Sequence, residues 1–192
     1  MFRILLISIV FVVSGCASTP PVEVNDLCSV FEQKPRWYKA ADRSRKRWGS
    51  PIPVMMAIMH QESRFRAKAR PPRERILWVI PWLRPSSSYG YTQALTETWD
   101  RYIRDTGSYG ADRDDFADAV DFVGWYNNQS HRLSGIRKDD PYSLYLAYHE
   151  GHGGYNRRSF NSKQWLLNVA KKVSAQSARY GSQLQGCEQR FG

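Results

Sequence analysis

Along most of the chain the apolar positions recur three and four residues apart, the spacing of helices that bury one face. Residues 37–48 predict a basic helix with Arg43, Arg45, Lys46 and Arg47 mainly on its solvated side. Ser50-Pro51-Ile52-Pro53 suits a helix start, and Met55, Ile58 and Met59 then mark an apolar stripe. Glu62 continues that stripe seven residues beyond Met55. Pro71, Pro72, Pro81 and Pro85 interrupt the pattern around Ile76-Leu77-Trp78-Val79-Ile80 and predict a loop or short hairpin. A helix follows with Leu95, Trp99, Tyr102 and Ile103, and Thr96 is its candidate N-cap. Phe116, Ala119, Val120 and Val123 mark another, which opens in an acidic turn at 112–115 that complements the helix dipole. Asp140-Pro141 starts a short aromatic helix that Gly151 is expected to stop, and Leu166, Val169, Ala170 and Val173 lie on the last one. Five or six helices with little strand signal predict a mainly α domain.

The length of 192 residues suits one domain, and 42% hydrophobic with 14% aromatic residues can fill a core, which excludes wholesale disorder. The apolar run at 4–13 follows Arg3 and is too short to span a bilayer, so it reads as a signal peptide. It ends in Val13-Ser14-Gly15-Cys16, which resembles the processing site of bacterial lipoproteins, where the cysteine carries the lipid. The expected organisation is a leader at 1–15, a lipidated tether at 16–27 and one domain at 28–192. With Cys16 assigned to the lipid, Cys28 and Cys187 are left as a pair for one disulfide in an oxidising compartment. Ala17 after the cysteine, rather than Asp, points by analogy to a periplasm-facing position on the outer membrane. The formal charge of +10 favours acidic partners of several kinds. The Arg and Lys residues near 45 fit a solvated helix face better than a nucleic-acid site.

Chemistry centres on Glu62. A carboxyl on an apolar stripe is desolvated, its pKa rises, and it can stay protonated as a general acid near neutrality. Periodicity alone leaves open whether Glu62 does this or tips into solvent at its helix end. His149-Glu150-Gly151-His152 departs from the spacing of a zinc-binding His-Glu-x-x-His helix, so no metal is expected.

Three segments then change the picture: His60-Gln61-Glu62-Ser63-Arg64-Phe65, Ser88-Tyr89-Gly90-Tyr91-Thr92-Gln93-Ala94, and Leu146-Ala147-Tyr148-His149-Glu150-Gly151. Their order and spacing resemble the family-1 lytic transglycosylases, lysozyme-like enzymes with the motifs Glu-Ser, Gly-Leu-Met-Gln and Ala-Tyr-Asn-x-Gly. The resemblance covers roughly residues 45–180. Tyr91-Thr92 stands where the pattern has Leu-Met, and His149 stands where it has Asn.

The resemblance implies a goose-type, lysozyme-like helical fold and a peptidoglycan substrate. It casts Glu62 as the sole acid/base, Ser63 and Gln93 as polar groups around the muramyl sugar, and Tyr148 as the hydroxyl that orients Glu62. Tyr91, His149 and Tyr155 are added as sugar contacts, since aromatic faces pack on pyranose rings. For the three tyrosines, core packing is the competing reading. The implied reaction turns the muramyl C6 hydroxyl on its own anomeric carbon and yields 1,6-anhydro ends, with no cofactor; the expected partners are glycan strands and the membrane through the lipid at Cys16, with no nucleic acid. The protein is expected to be a monomer. The rivals are a goose-type hydrolase with Glu74 as second carboxylate and a non-catalytic peptidoglycan-binding lipoprotein. The apolar segment 76–83, with Trp78 and Trp82, is expected to be a flap on the cleft or the membrane, or else a satellite core.

Overall fold

The structure is a computed structural model that describes residues 19–71, 75–76, 80–81 and 86–192. The leader, Cys16, Glu74, Trp78 and Trp82 lie outside the described residues. Helices dominate: α1 (Leu27–Gln33), α2 (Pro35–Trp48), α3 (Ile52–Ser63), α4 (Thr96–Thr106), α5 (Phe116–Ser134), α6 (Pro141–Asn156) and α7 (Gln164–Cys187). Between α3 and α4, β1 (Arg75–Ile76) pairs antiparallel with β2 (Ile80–Pro81), with Arg75 opposite Pro81 and Ile76 opposite Ile80, so the proline-rich segment contains the expected hairpin. Short 3-10 turns occupy Ser159–Ser162 and Glu188–Arg190. Among the described residues no helix is long and apolar enough to cross a membrane.

Local chemistry sets several boundaries. The Asp115 carboxylate accepts from the amides of Ala117 at 2.7 Å and Asp118 at 3.1 Å, which satisfies two orphan donors at the start of α5. Asp140 does the same for Ser143 at 3.1 Å at the head of α6. Thr96 is not the cap of α4. Leu95 holds the extended cap position, and the Thr96 amide donates to the Ser87 hydroxyl at 3.2 Å, so the preceding loop supplies the acceptor instead. Gly151 bends α6 without ending it: at φ 70°, ψ 160° the residue is non-helical, yet helical bonding resumes to Asn156. That conformation belongs to glycine because a Cβ makes it strained.

The core lies around α3, where Ile52, Val54, Met55, Met56, Ala57, Ile58 and Met59 are all buried, so the helix is enclosed on more than the stripe read from periodicity. It packs on α7 and α5, while α2 lies along α5 and α6 along both α5 and α7. Asp121 of α5 ties three helices, accepting from Tyr102 at 2.9 Å, Trp48 at 2.8 Å and Arg47 at 3.0 Å. Arg45 and Lys46 both pair with Asp42 in the same helix, while Arg47 pairs with Asp121 of α5.

α2 and α5 approach closely at Gly124, where a Cβ would stand 2.3 Å from the Ser44 hydroxyl and 2.7 Å from the Trp48 ring. Ser44 is itself fixed by donating to the Val120 carbonyl at 3.0 Å. Gly124→Ala is therefore expected to wedge α2 from α5 and destabilise the fold by about 1–3 kcal/mol, the range for overpacking a filled core. Denaturant unfolding measures it, and an unchanged midpoint would show that the two helices separate freely.

Residues ahead of Cys28 already bond to α1 and α7. Val22 donates to Gln33 at 3.0 Å, Tyr180 donates to the Val24 carbonyl, and Leu27 donates to Gln183 at 2.9 Å. Cys28 and Cys187 form the expected disulfide, joining α1 to the end of α7.

Candidate active site

Glu62 stands in the last turn of α3, where the chain turns away through two consecutive left-handed residues, Arg64 at φ 52° and Phe65 at φ 59°. Such backbone is unfavourable for residues with a Cβ. The fully buried Phe65 ring, packed against Trp37, anchors the turn. Glu62 lines an open cleft of about 510 Å³ between the 86–98 segment and α5 and α6. Ser86, Ser88, Gln93 and Leu95 form one wall, and Tyr126, Tyr148, His149 and Glu150 the other.

Part of Glu62 faces the cleft while protein crowds its carboxyl. Desolvation raises its pKa to about 7, and a hydrogen bond from the Tyr145 hydroxyl, which favours the anion, only partly offsets this. Burial pushes the Tyr145 and Tyr148 hydroxyls above the ordinary phenol range, and Tyr126 to about 12, so all three stay protonated donors at neutral pH.

The hydroxyl that reaches Glu62 is thus Tyr145's. Tyr148, expected in that role, donates to the Thr92 carbonyl at 2.7 Å and presents its ring to the cleft, locking α6 to the loop opposite. Tyr126 fixes the same helix by donating to the Ala147 carbonyl at 3.1 Å. Sequence reasoning passed over both Tyr145 and Tyr126. Tyr145 lies three residues before Tyr148, on the same side of α6, so helical spacing could have found it; Tyr126 has no local signal.

The remaining expected residues divide. Gln93 lines the cleft at φ 51°, its amide donating to the carbonyls of Ala69 and Gly90, both at 2.9 Å. That folds the 89–94 loop into a rigid turn. Gly90 is required there, because a Cβ would meet the Arg113 carbonyl oxygen at 2.1 Å. Ser63, expected at the sugar, is buried and donates to the Tyr91 carbonyl at 2.7 Å, so it joins α3 to the loop instead of facing the cleft. Tyr91 is also turned inward, edge-on to Trp37 at 5.6 Å and to Phe116 at 5.6 Å. Tyr155 packs on Phe160 at 5.4 Å and does not line the Glu62 cleft.

His149 lines the cleft, and its Nδ1 lies 3.1 Å from Glu150. Glu150 is almost wholly covered and accepts from Lys163 at 2.8 Å and from the Ser159 hydroxyl. Those hydrogen bonds, led by Lys163, hold its pKa down to about 2, so Glu150 is ionised wherever Glu62 titrates. Across the Gly151 bend, His152 stacks on Tyr126 at 4.7 Å and lies 3.0 Å from the Ser130 hydroxyl. The two histidines of this segment thus serve different surroundings.

A helical domain that sets one protonated carboxylic acid in an open, tyrosine-walled cleft belongs to the lysozyme-like class. The family model described as Transglycosylase SLT domain matches residues 4–187, and the chain belongs to that family, whose members are peptidoglycan lytic transglycosylases. No curated protein matches the sequence.

Proposed function

We propose that this protein cleaves the β-1,4 bond between N-acetylmuramic acid and N-acetylglucosamine by intramolecular transglycosylation. The observation that carries the reading is the Glu62 carboxyl, held protonated to about pH 7 where a glycan can reach it. Glu62 gives its proton to the glycosidic oxygen as the bond to the muramyl anomeric carbon breaks. The muramyl C6 hydroxyl then attacks that carbon and its proton goes to the Glu62 carboxylate, which regenerates the acid and consumes no water. Tyr145 stabilises the carboxylate between the two transfers. Gln93, Tyr148 and His149 contact the sugars, while Ser63 and Tyr91 hold the loop that presents Gln93.

Ordinary glycosidases employ a second carboxylate as nucleophile or water-activating base. Among the described residues the other carboxylate lining the cleft is Glu150, and Lys163, Ser159 and His149 already occupy it. This favours attack by the substrate's own hydroxyl over attack by water. Digestion of purified peptidoglycan followed by mass spectrometry is expected to show 1,6-anhydromuramic ends, lighter than the hydrated form by one water. Hydrated ends as the main product would make the protein a hydrolase of the goose type, the rival reading in which Glu74 is the second carboxylate.

The same reading places the domain at the periplasmic face of the outer membrane, with residues 1–15 removed and Cys16 lipidated. The Cys28–Cys187 bridge supports export to an oxidising compartment. Cys16→Ser is expected to move the protein from the membrane to the soluble fraction.

A further inference from the structure

Trp165, the second residue of α7, is 55% exposed, an unusual position for so large an apolar ring. The indole meets the His149 imidazole edge to face, with ring centroids 5.0 Å apart at 78°. His149 lines the Glu62 cleft, so the exposed indole lies directly beside a residue of that cleft's wall. We propose that Trp165 and His149 together form a stacking subsite for a further N-acetylhexosamine ring of the strand whose bond lies over Glu62. The subsite rests on the glycan-cleaving function proposed above.

The platform is built to stay in place. Glu150 is held by Lys163, two residues before Trp165, and also faces His149 Nδ1, so one carboxylate ties the start of α7 to the imidazole that the indole meets. With Nδ1–H donated to the ionised Glu150, His149 keeps Nε2 available for a sugar hydroxyl or acetamido group. A pyranose lays its C–H face on an aromatic plane and keeps its hydroxyls at the rim. Indole suits this because it combines a broad apolar face with an N–H donor. The Lys163 side chain, 40% exposed, carries a further N–H that adds a donor for a carbonyl or carboxylate near His149 and Trp165.

The test uses the full chain carrying Glu62→Gln, so that bound sugar is not cleaved, and chitohexaose as the probe. On titration, the indole N–H resonance that Trp165→Ala removes from the NMR spectrum is expected to shift. Trp165→Ala is expected to weaken binding about 10-fold, the loss of one well-packed aromatic contact. Trp165→Phe should recover part of it. A Trp165 resonance that does not move at saturating probe, or equal affinity in the Ala variant, would overturn the subsite. Absence of turnover by the wild-type protein on peptidoglycan strikes the enzymatic reading alone, since the binding titration still decides the platform.

Discussion

Glu62→Gln is expected to fold, bind glycan and lose turnover by about 10² to 10⁴ or more, the range that proton-transfer groups contribute. The amide keeps the shape of the acid, and its carbonyl still accepts from Tyr145, but it has no proton to give to the glycosidic oxygen. The stability profile should change as well, and its sign follows from the raised pKa. Below the ordinary carboxyl value of 4.5 both folded and unfolded chains hold the proton and Glu62 adds no pH dependence. Between 4.5 and about 7 the unfolded chain has lost the proton while the folded chain keeps it, so wild-type stability falls as pH rises. Above about 7 the penalty is constant. The glutamine variant lacks this component and should exceed wild type at pH 8 by on the order of 1–3 kcal/mol, less than the full shift implies because the carboxyl borders open solvent. Wild-type turnover should decline as pH rises through about 7, where the folded chain loses the acid form. Full activity in the variant would remove Glu62 from the mechanism. A wild-type unfolding profile parallel to the variant's would show that its carboxyl is not desolvated.

The parts of this architecture that were legible in the sequence are those fixed by neighbouring residues. Asp115 and Asp140 announce their helices because a short acceptor side chain meets amides two and three positions on, whatever the rest of the fold does. The place of Glu62 at the end of an apolar helix could be read from Met55, Ile58 and Met59, but its desolvation depends on Tyr145 and the other residues of α5 and α6 around it. Side-chain direction in the 89–94 loop was not legible. Tyr91 and Gln93 lie two residues apart in one tight turn, yet one enters an aromatic cluster with Trp37 and Phe116 while the other borders the cleft. No local rule separates them, because the choice is set by α2 and α5 packing behind the loop. Gly151 reads locally as a helix stop, whereas the resumed helix is held by contacts that local sequence does not carry: the Ser159 hydroxyl donates to Glu150 and to the Gly154 carbonyl at 3.1 Å, on either side of the bend.

Replacing both Cys28 and Cys187 with serine is expected to lower unfolding stability by about 2–5 kcal/mol without abolishing catalysis. The bridge spans 159 residues, so in the unfolded chain it closes nearly the whole domain into one loop, and its loss releases that entropy to the unfolded ensemble. The denaturant slope should therefore steepen as well, since an uncrosslinked chain exposes more surface when it unfolds. In the folded protein α1 keeps other attachments. Leu27, Val30 and Phe31 are buried, Phe31 packs edge-on to Tyr38 at 5.4 Å, and Gln183 accepts from Leu27 at 2.9 Å. Those contacts hold α1 on α7 at equilibrium but do not prevent local opening, so amide hydrogens of α1 should exchange faster than those of α3 in the serine variant. Glu62, Tyr145 and Gln93 lie on α3, α6 and the 89–94 loop, none of which depends on the bridge for its geometry, which is why turnover at low temperature should persist. Unchanged stability on chemical reduction of the wild-type protein would mean that the two cysteines are not joined in solution; loss of turnover before any loss of α1 protection would mean that the bridge supports the cleft directly rather than through the unfolded state.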